Sequence, residues 1–253
     1  MSFFFKFKYI FIIECVLLSL LTLASHGEIS NPTVLIEELH EKDGLYYDTN
    51  GGVLFSGAIK NYYKNNKIKH KGFIRSGKFH GEWIHFEENG KVRLIENFED
   101  GKKHGEWSQY HINGVKWKSV DYFKDKKNGL WEIYSIDGLL MEKGYFLDGK
   151  KNGLWEKFHD SGKLWQQESF RDNIKHGEFK FYYPDGSIGN LESWENGKQD
   201  GVWKMFYPNG NIRKEGAFRN GKKMGLWKTF TQSGKLYLTE IWDNGFLLKT
   251  KEP

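Results

Sequence analysis

The chain has a single cysteine, Cys15, close to its start. No internal disulfide can form, and nothing after that position offers a thiolate for metal binding or catalysis. Proline is nearly as scarce, with 4 residues against 29 glycines in a chain of 253. Neither sign of charge dominates: 38 basic residues stand against 33 acidic ones, for a formal net charge of +5. So mild an excess favours solubility and argues against a dedicated nucleic-acid binder. What the chain has in quantity is glycine and aromatic rings, including 10 tryptophans, a composition suited to a β-protein or a repeat array.

The one long apolar run lies at the beginning, "MSFFFKFKYIFIIECVLLSLLTLASHGE". Lys6 and Lys8 precede the run from Tyr9 to Ala24, and small residues follow it, which predicts an export signal over residues 1–27, cleaved after Ala24 or after Gly27. Glu14 occupies the place before Cys15 where lipid acylation needs a small residue. The run of roughly 16 apolar positions is short against the ~20 that span a bilayer, so membrane attachment would come only through an uncleaved signal.

Beyond that segment the sequence repeats itself. Gly81, Gly105, Gly129, Gly153, Gly177, Gly201 and Gly225 are each 24 residues apart. Two positions after each stand Trp83, Trp107, Trp131, Trp155, Phe179, Trp203 and Trp227, and five positions after it another ring, from Phe86 to Phe230. A second glycine column runs from Gly90 to Gly234, and a third ring column from Phe98 to Trp242. The organisation predicted is a cap and partial repeat over 28–56, a degenerate repeat over 57–80, seven full repeats over 81–248 and a tail over 249–253.

Each period carries two turn signals, as in Asn89-Gly90 and Asp100-Gly101, because glycine takes positive φ freely and Asn or Asp tolerates it. The segments between turns have strand length and are too short for stable helices. Each period therefore reads as a β-hairpin, and the links are too short for crossovers. The expected fold is all-β: an elongated single antiparallel meander of consecutive 24-residue hairpins. With Gly90 as the bulge residue of a type I turn, Phe86 falls opposite Val92, Tyr134 opposite Leu140, Phe158 opposite Leu164 and Phe206 opposite Ile212. Tyr110 opposite Lys116 is the exception. Trp83 and Phe86 are three apart and so belong on opposite faces: either both faces carry rings, or a bulge near Gly81 turns the tryptophan inward.

The pattern F-x-x-G-K-x-x-G-x-W-x-x-Y-x-x-x-G, as in Phe98 to Gly114, resembles the MORN repeat, in the variant found in bacterial proteins grouped as YwqK-type antitoxins. The resemblance covers roughly Leu39 to Leu248. It implies a β-hairpin array and a role in lipid binding, partner scaffolding or toxin neutralisation.

Glycine-rich stretches such as Asp100 to Gly105 do not lead into a helix, so they read as turns rather than phosphate cradles. His80, His104 and His176 share a column, but copies two strands apart, about 10 Å, cannot share a metal ion. No nucleophile, base and orienter stand at a distinctive spacing, so neither an enzyme nor a cofactor is expected. Lys102, Lys103, Lys126, Lys127, Lys150 and Lys151 precede successive repeat glycines and would stack into a basic edge, solvated or able to meet an anionic partner. Trp117 and Trp165 depart from the ring columns and are the candidates for exposed contact. The function expected is a non-catalytic protein-binding or scaffold module, exported to the periplasm, the outer membrane or the exterior. A protein partner is foreseen, with anionic lipid or an envelope glycan as other ligands. The alternative is a YwqK-like antitoxin that neutralises a toxin by direct binding.

Overall fold

A computed structural model describes residues 33–252. The expected signal segment and the first residues of the cap lie outside that range. Within it, one 3-10 turn, Ile36–Glu38, is the only helical element and the rest is strand and turn. A 19-stranded sheet contains every strand except a small separate hairpin, His40–Lys42 with Leu45–Tyr47. From Gly57–Tyr62 to Phe246–Lys251 each strand pairs antiparallel with the next, Lys102–Lys103 and Gly105–Tyr110 acting together as one interrupted strand against Val92–Glu99, which is the expected meander of hairpins. Val34–Leu35 adds in parallel to the outer side of Gly57–Tyr62. Leu39 then packs with Ile59, Ile74 and Trp83, and Tyr46 stacks on Phe79, so this segment covers the beginning of the array.

Both kinds of turn follow from local chemistry. At the hairpin tip Gly90 N–H donates to the Glu87 carbonyl and Glu87 N–H to that of Lys91, with Gly90 at φ 89°. Phe86 pairs with Val92, Tyr134 with Leu140, Phe158 with Leu164 and Phe206 with Ile212, the register the turn chemistry requires. One step further the register slips, leaving one extra residue on the returning strand: Arg93, Trp117 and Trp165 in their copies. The links between hairpins are two-residue turns with both residues at positive φ, such as Asp148 (50°) and Gly149 (83°), the form that matches strand twist. Lys124-Asp125 and Asp172-Asn173 adopt it without glycine, which the dipeptide signals did not reveal. Adjacent tips are tied together: Tyr183 Oη donates to the Phe206 carbonyl at 2.7 Å, and Tyr207 Oη to that of Phe230 at 3.0 Å.

The question posed by Trp83 and Phe86 has a double answer. Alternation along the strand puts Trp83 on one face, across from Glu96, and Phe86 on the other, so both faces carry rings. There is also a bulge at the repeat glycine: Tyr145 pairs with Asn152 and Lys143 with Glu156, so Gly153, Leu154 and Trp155 together oppose the single residue Gly144. Gly153 sits there at φ 71°, in the left-handed region. The offset lays the indole of Trp155 flat on the Gly144 backbone, where a Cβ would collide with the ring. Trp83 lies in the same way on Gly72, and Trp227 on Gly216. These three tryptophans are 1–2% exposed. Past the first copies, which Leu39 and Tyr46 cover, no second layer of described residues lies over the rings, so neighbouring rings and long side chains on the same face cover them.

Candidate functional site

The ring face, which carries the Trp83 column, holds lysines and carboxylates among its rings. Along a strand consecutive residues point to opposite sides, and this divides the lysine row in two. Lys102, Lys126 and Lys150 are exposed at the links, and Lys126 and Lys150 approach Asp148 and Asp172 at 3.6 and 3.9 Å. Lys103, Lys127 and Lys151 are half-buried over rings instead. Lys151 Nζ is 3.8 Å from the centre of Trp155 and 5.4 Å from that of Phe170; Lys127 lies 4.8 and 4.9 Å from Trp131 and Phe146. The single basic edge expected from sequence is therefore two rows, one paired with turn acids and one capping rings as cation–π partners. Burial lowers the pKa of Lys151 from its ordinary value.

Carboxylates share that face. Glu96 lies 2.8 Å from Lys103 Nζ and 3.2 Å from His85 Nε2, and it accepts a hydrogen bond from Trp107 Nε1 at 3.2 Å. Burial alone would raise its pKa, but hydrogen bonds and charge from His85 and Lys103 bring it down to about 2. Glu240 meets Lys214 at 2.9 Å, and Glu168 meets Lys157 at 3.8 Å. Sequence reasoning missed this row, although its signal was available: Glu96, Glu168 and Glu240 are 72 residues apart, as are Gly72, Gly144 and Gly216, a period of three copies.

Trp117 and Trp165 are 40% and 37% exposed, each at the extra position beside a hairpin tip. Their rings lie 6.0 Å from His111 and His159, respectively. His104 and His176 each face a carboxylate, Glu99 at 3.2 Å and Glu195 at 3.3 Å. Among the described residues no group of three His, Cys, Asp or Glu side chains is placed to hold a metal ion.

The opposite face is a ladder of polar pairs, among them Lys143 with Glu156 at 2.7 Å and Lys204 with Glu215 at 3.6 Å. Beside this ladder runs an exposed apolar column, Leu130, Leu154, Val202 and Leu226, interrupted by Glu178 between Leu154 and Val202 and widened across the strands by Tyr145 and Ile241.

Four segments, residues 79–100, 151–172, 175–196 and 199–220, match the family model described as a MORN repeat variant. Each is one hairpin with its link turn, and the sheet is an array of such units. MORN repeats suggest a repeat protein with a binding or scaffold role. No curated protein matches the chain.

Proposed function

We propose that this protein is an exported, non-catalytic scaffold that holds a protein partner against its sheet through several similar contacts. The observation that carries the proposal is the apolar column on the polar face: Leu130 and Leu154, then Val202 and Leu226 beyond the charged Glu178, are 46–54% exposed, two pairs of neighbouring side chains that the fold leaves in water. Rows of exposed apolar groups rimmed by charge mark interaction surfaces. Repetition at a fixed spacing turns weak single contacts into avidity, because each contact formed raises the effective concentration of the next. The exposed Trp117 and Trp165 extend the contacts available at the hairpin tips. Export rests on the basic and apolar pattern of residues 1–27.

The experiment is to place a photo-crosslinking residue at Leu154 or Leu226 in the chain's own cells, fractionate them and sequence the processed N-terminus. A discrete cross-linked protein in the envelope or the medium, lost on Leu154→Asp with the sheet signature intact, is the expected result. Full-length chain in the cytosol bound to a toxin would replace this reading with the antitoxin one. A correctly folded chain that cross-links to nothing would end both.

A further inference from the structure

The lysines that cap the ring face are not complete. Five copies place one, Lys103, Lys127, Lys151, Lys175 or Lys223, at 3.8–5.8 Å from the centres of two rings. In the copy centred on Gly81 the same column holds Phe79, whose ring packs on Trp83 at 3.9 Å. In the copy centred on Gly201 it holds Gln199, which is neutral and shorter. Among the described residues no cation lies over Trp203 or Phe218, the rings of that copy.

The carboxylate of this copy is Glu192, directly across from Trp203 in the sheet. Its counterpart Glu96 has Lys103 and His85 beside it. Glu192 has Gln199 where Glu96 has the lysine, and Phe181 where Glu96 has the histidine. Its hydrogen-bond donors are all neutral: Asn190 Nδ2 at 2.8 Å, Trp194 Nε1 at 2.8 Å and Gln199 Nε2 at 3.1 Å. Asn190 leaves its own Oδ1 buried with no donor. This copy thus keeps the rings and the carboxylate that hold Lys103 in its own copy, but lacks that lysine; Lys175 of the preceding copy lines the hollow beside Glu192 and Asn190 but lies over Phe179 and Trp194 at 4.6 Å.

We infer that Trp203, Phe218 and Glu192 form a receptor site for a primary ammonium group, brought as a lysine side chain by the protein partner. The inference rests on the partner-binding reading above, extended to a partner that reaches the ring face as well as the face of Leu154 and Leu226. The acceptors set the chemistry: Glu192 and the orphan Asn190 oxygen require N–H donors, which a primary ammonium has and a quaternary one lacks. The rings add cation–π attraction to either kind of cation, so the difference between the two measures the acceptors. On binding, the ammonium would complete the column of lysines and lock the partner in register with the repeats.

The test is a titration of the purified chain with n-butylammonium, followed by the indole N–H resonances of Trp203 and Trp194. Tetramethylammonium and sodium chloride at equal ionic strength serve as controls. Saturable shifts with butylammonium, weaker by about tenfold with tetramethylammonium, are expected. Gln199→Lys supplies the cation internally and is expected to abolish the response while leaving the fold intact. Glu192→Gln is expected to weaken it by about tenfold or more. Equal responses to all three salts, or unchanged butylammonium binding in Gln199→Lys, would overturn the assignment. Cross-linking at Leu154 and Leu226 uses the other face and is unaffected by this result, so the two proposals fail separately.

Discussion

Gly144→Ala tests the packing of the array at one atom. The Cβ it adds falls among Cδ2, Cε2 and Cε3 of Trp155, inside the space the indole occupies. The ring cannot lift away freely, because Phe146 and Trp131 flank it at 5.1 and 6.3 Å and Lys151 caps it at 3.8 Å. Overpacking of this kind costs about 1–3 kcal/mol. If Trp155 is first cut to alanine, itself a loss of about 3–5 kcal/mol, the collision has no partner. Replacing glycine by alanine in a strand then relieves about 0.5–1 kcal/mol of backbone entropy. The two changes should therefore couple by about 1.5–4 kcal/mol in a double-mutant cycle. Gly153→Ala is the control: its Cβ meets nothing within 4 Å, and its penalty comes from φ 71° alone. It should cost about 1–2 kcal/mol with or without the indole. Native-state hydrogen exchange at Lys143 to Tyr145, with urea unfolding followed by circular dichroism, reads the cycle locally, which matters in an array that can open piecewise. If Gly144→Ala costs the same in both backgrounds, the indole does not lie on that glycine.

Asp125→Gly should destabilise the chain by about 1 kcal/mol although Asp125 holds φ 69°, because glycine gives up the hydrogen bond that Asp125 Oδ1 accepts from Lys103 N–H at 2.8 Å and adds freedom to the unfolded chain; a thermal melt reads the loss. Glu96 should make the chain acid-sensitive. Its pKa is depressed in the fold, so its stabilisation is complete above its ordinary value of 4.5 and is lost as pH falls towards about 2. That amounts to something on the order of 3 kcal/mol. Melting temperature against pH for the wild type and Glu96→Gln should diverge above pH 4.5 and converge near pH 2. Tyr183→Phe removes the tip hydrogen bond to the Phe206 carbonyl and should cost about 1 kcal/mol, seen as faster amide exchange at the two tips it joins.

The 24-residue period, the hairpins, their turn types and the pairing of Phe86 with Val92 were legible because each depends on a few neighbouring residues. Where glycine was missing, as at Lys124-Asp125, the turn was set by the flanking strands and the dipeptide alone carried no signal. The two rows of lysine were half legible: alternation separates Lys126 from Lys127, but no local rule says which of them finds a ring. The carboxylate row showed in the sequence only as a spacing of 72 residues, and the contact of Glu192 with Gln199 did not show at all, because the two meet only through the pairing of two particular strands.

The sequence by itself determined that this chain is a run of hairpins and where each one turns, since turn chemistry and strand alternation act over a few bonds. Only the tertiary structure decided what lies over what. The bulge at each repeat glycine offsets one strand against the next by two residues, and that offset places an indole on a glycine, a lysine on the indole and a carboxylate beside both. Contacts of that kind are fixed by the geometry between strands, which no single period contains.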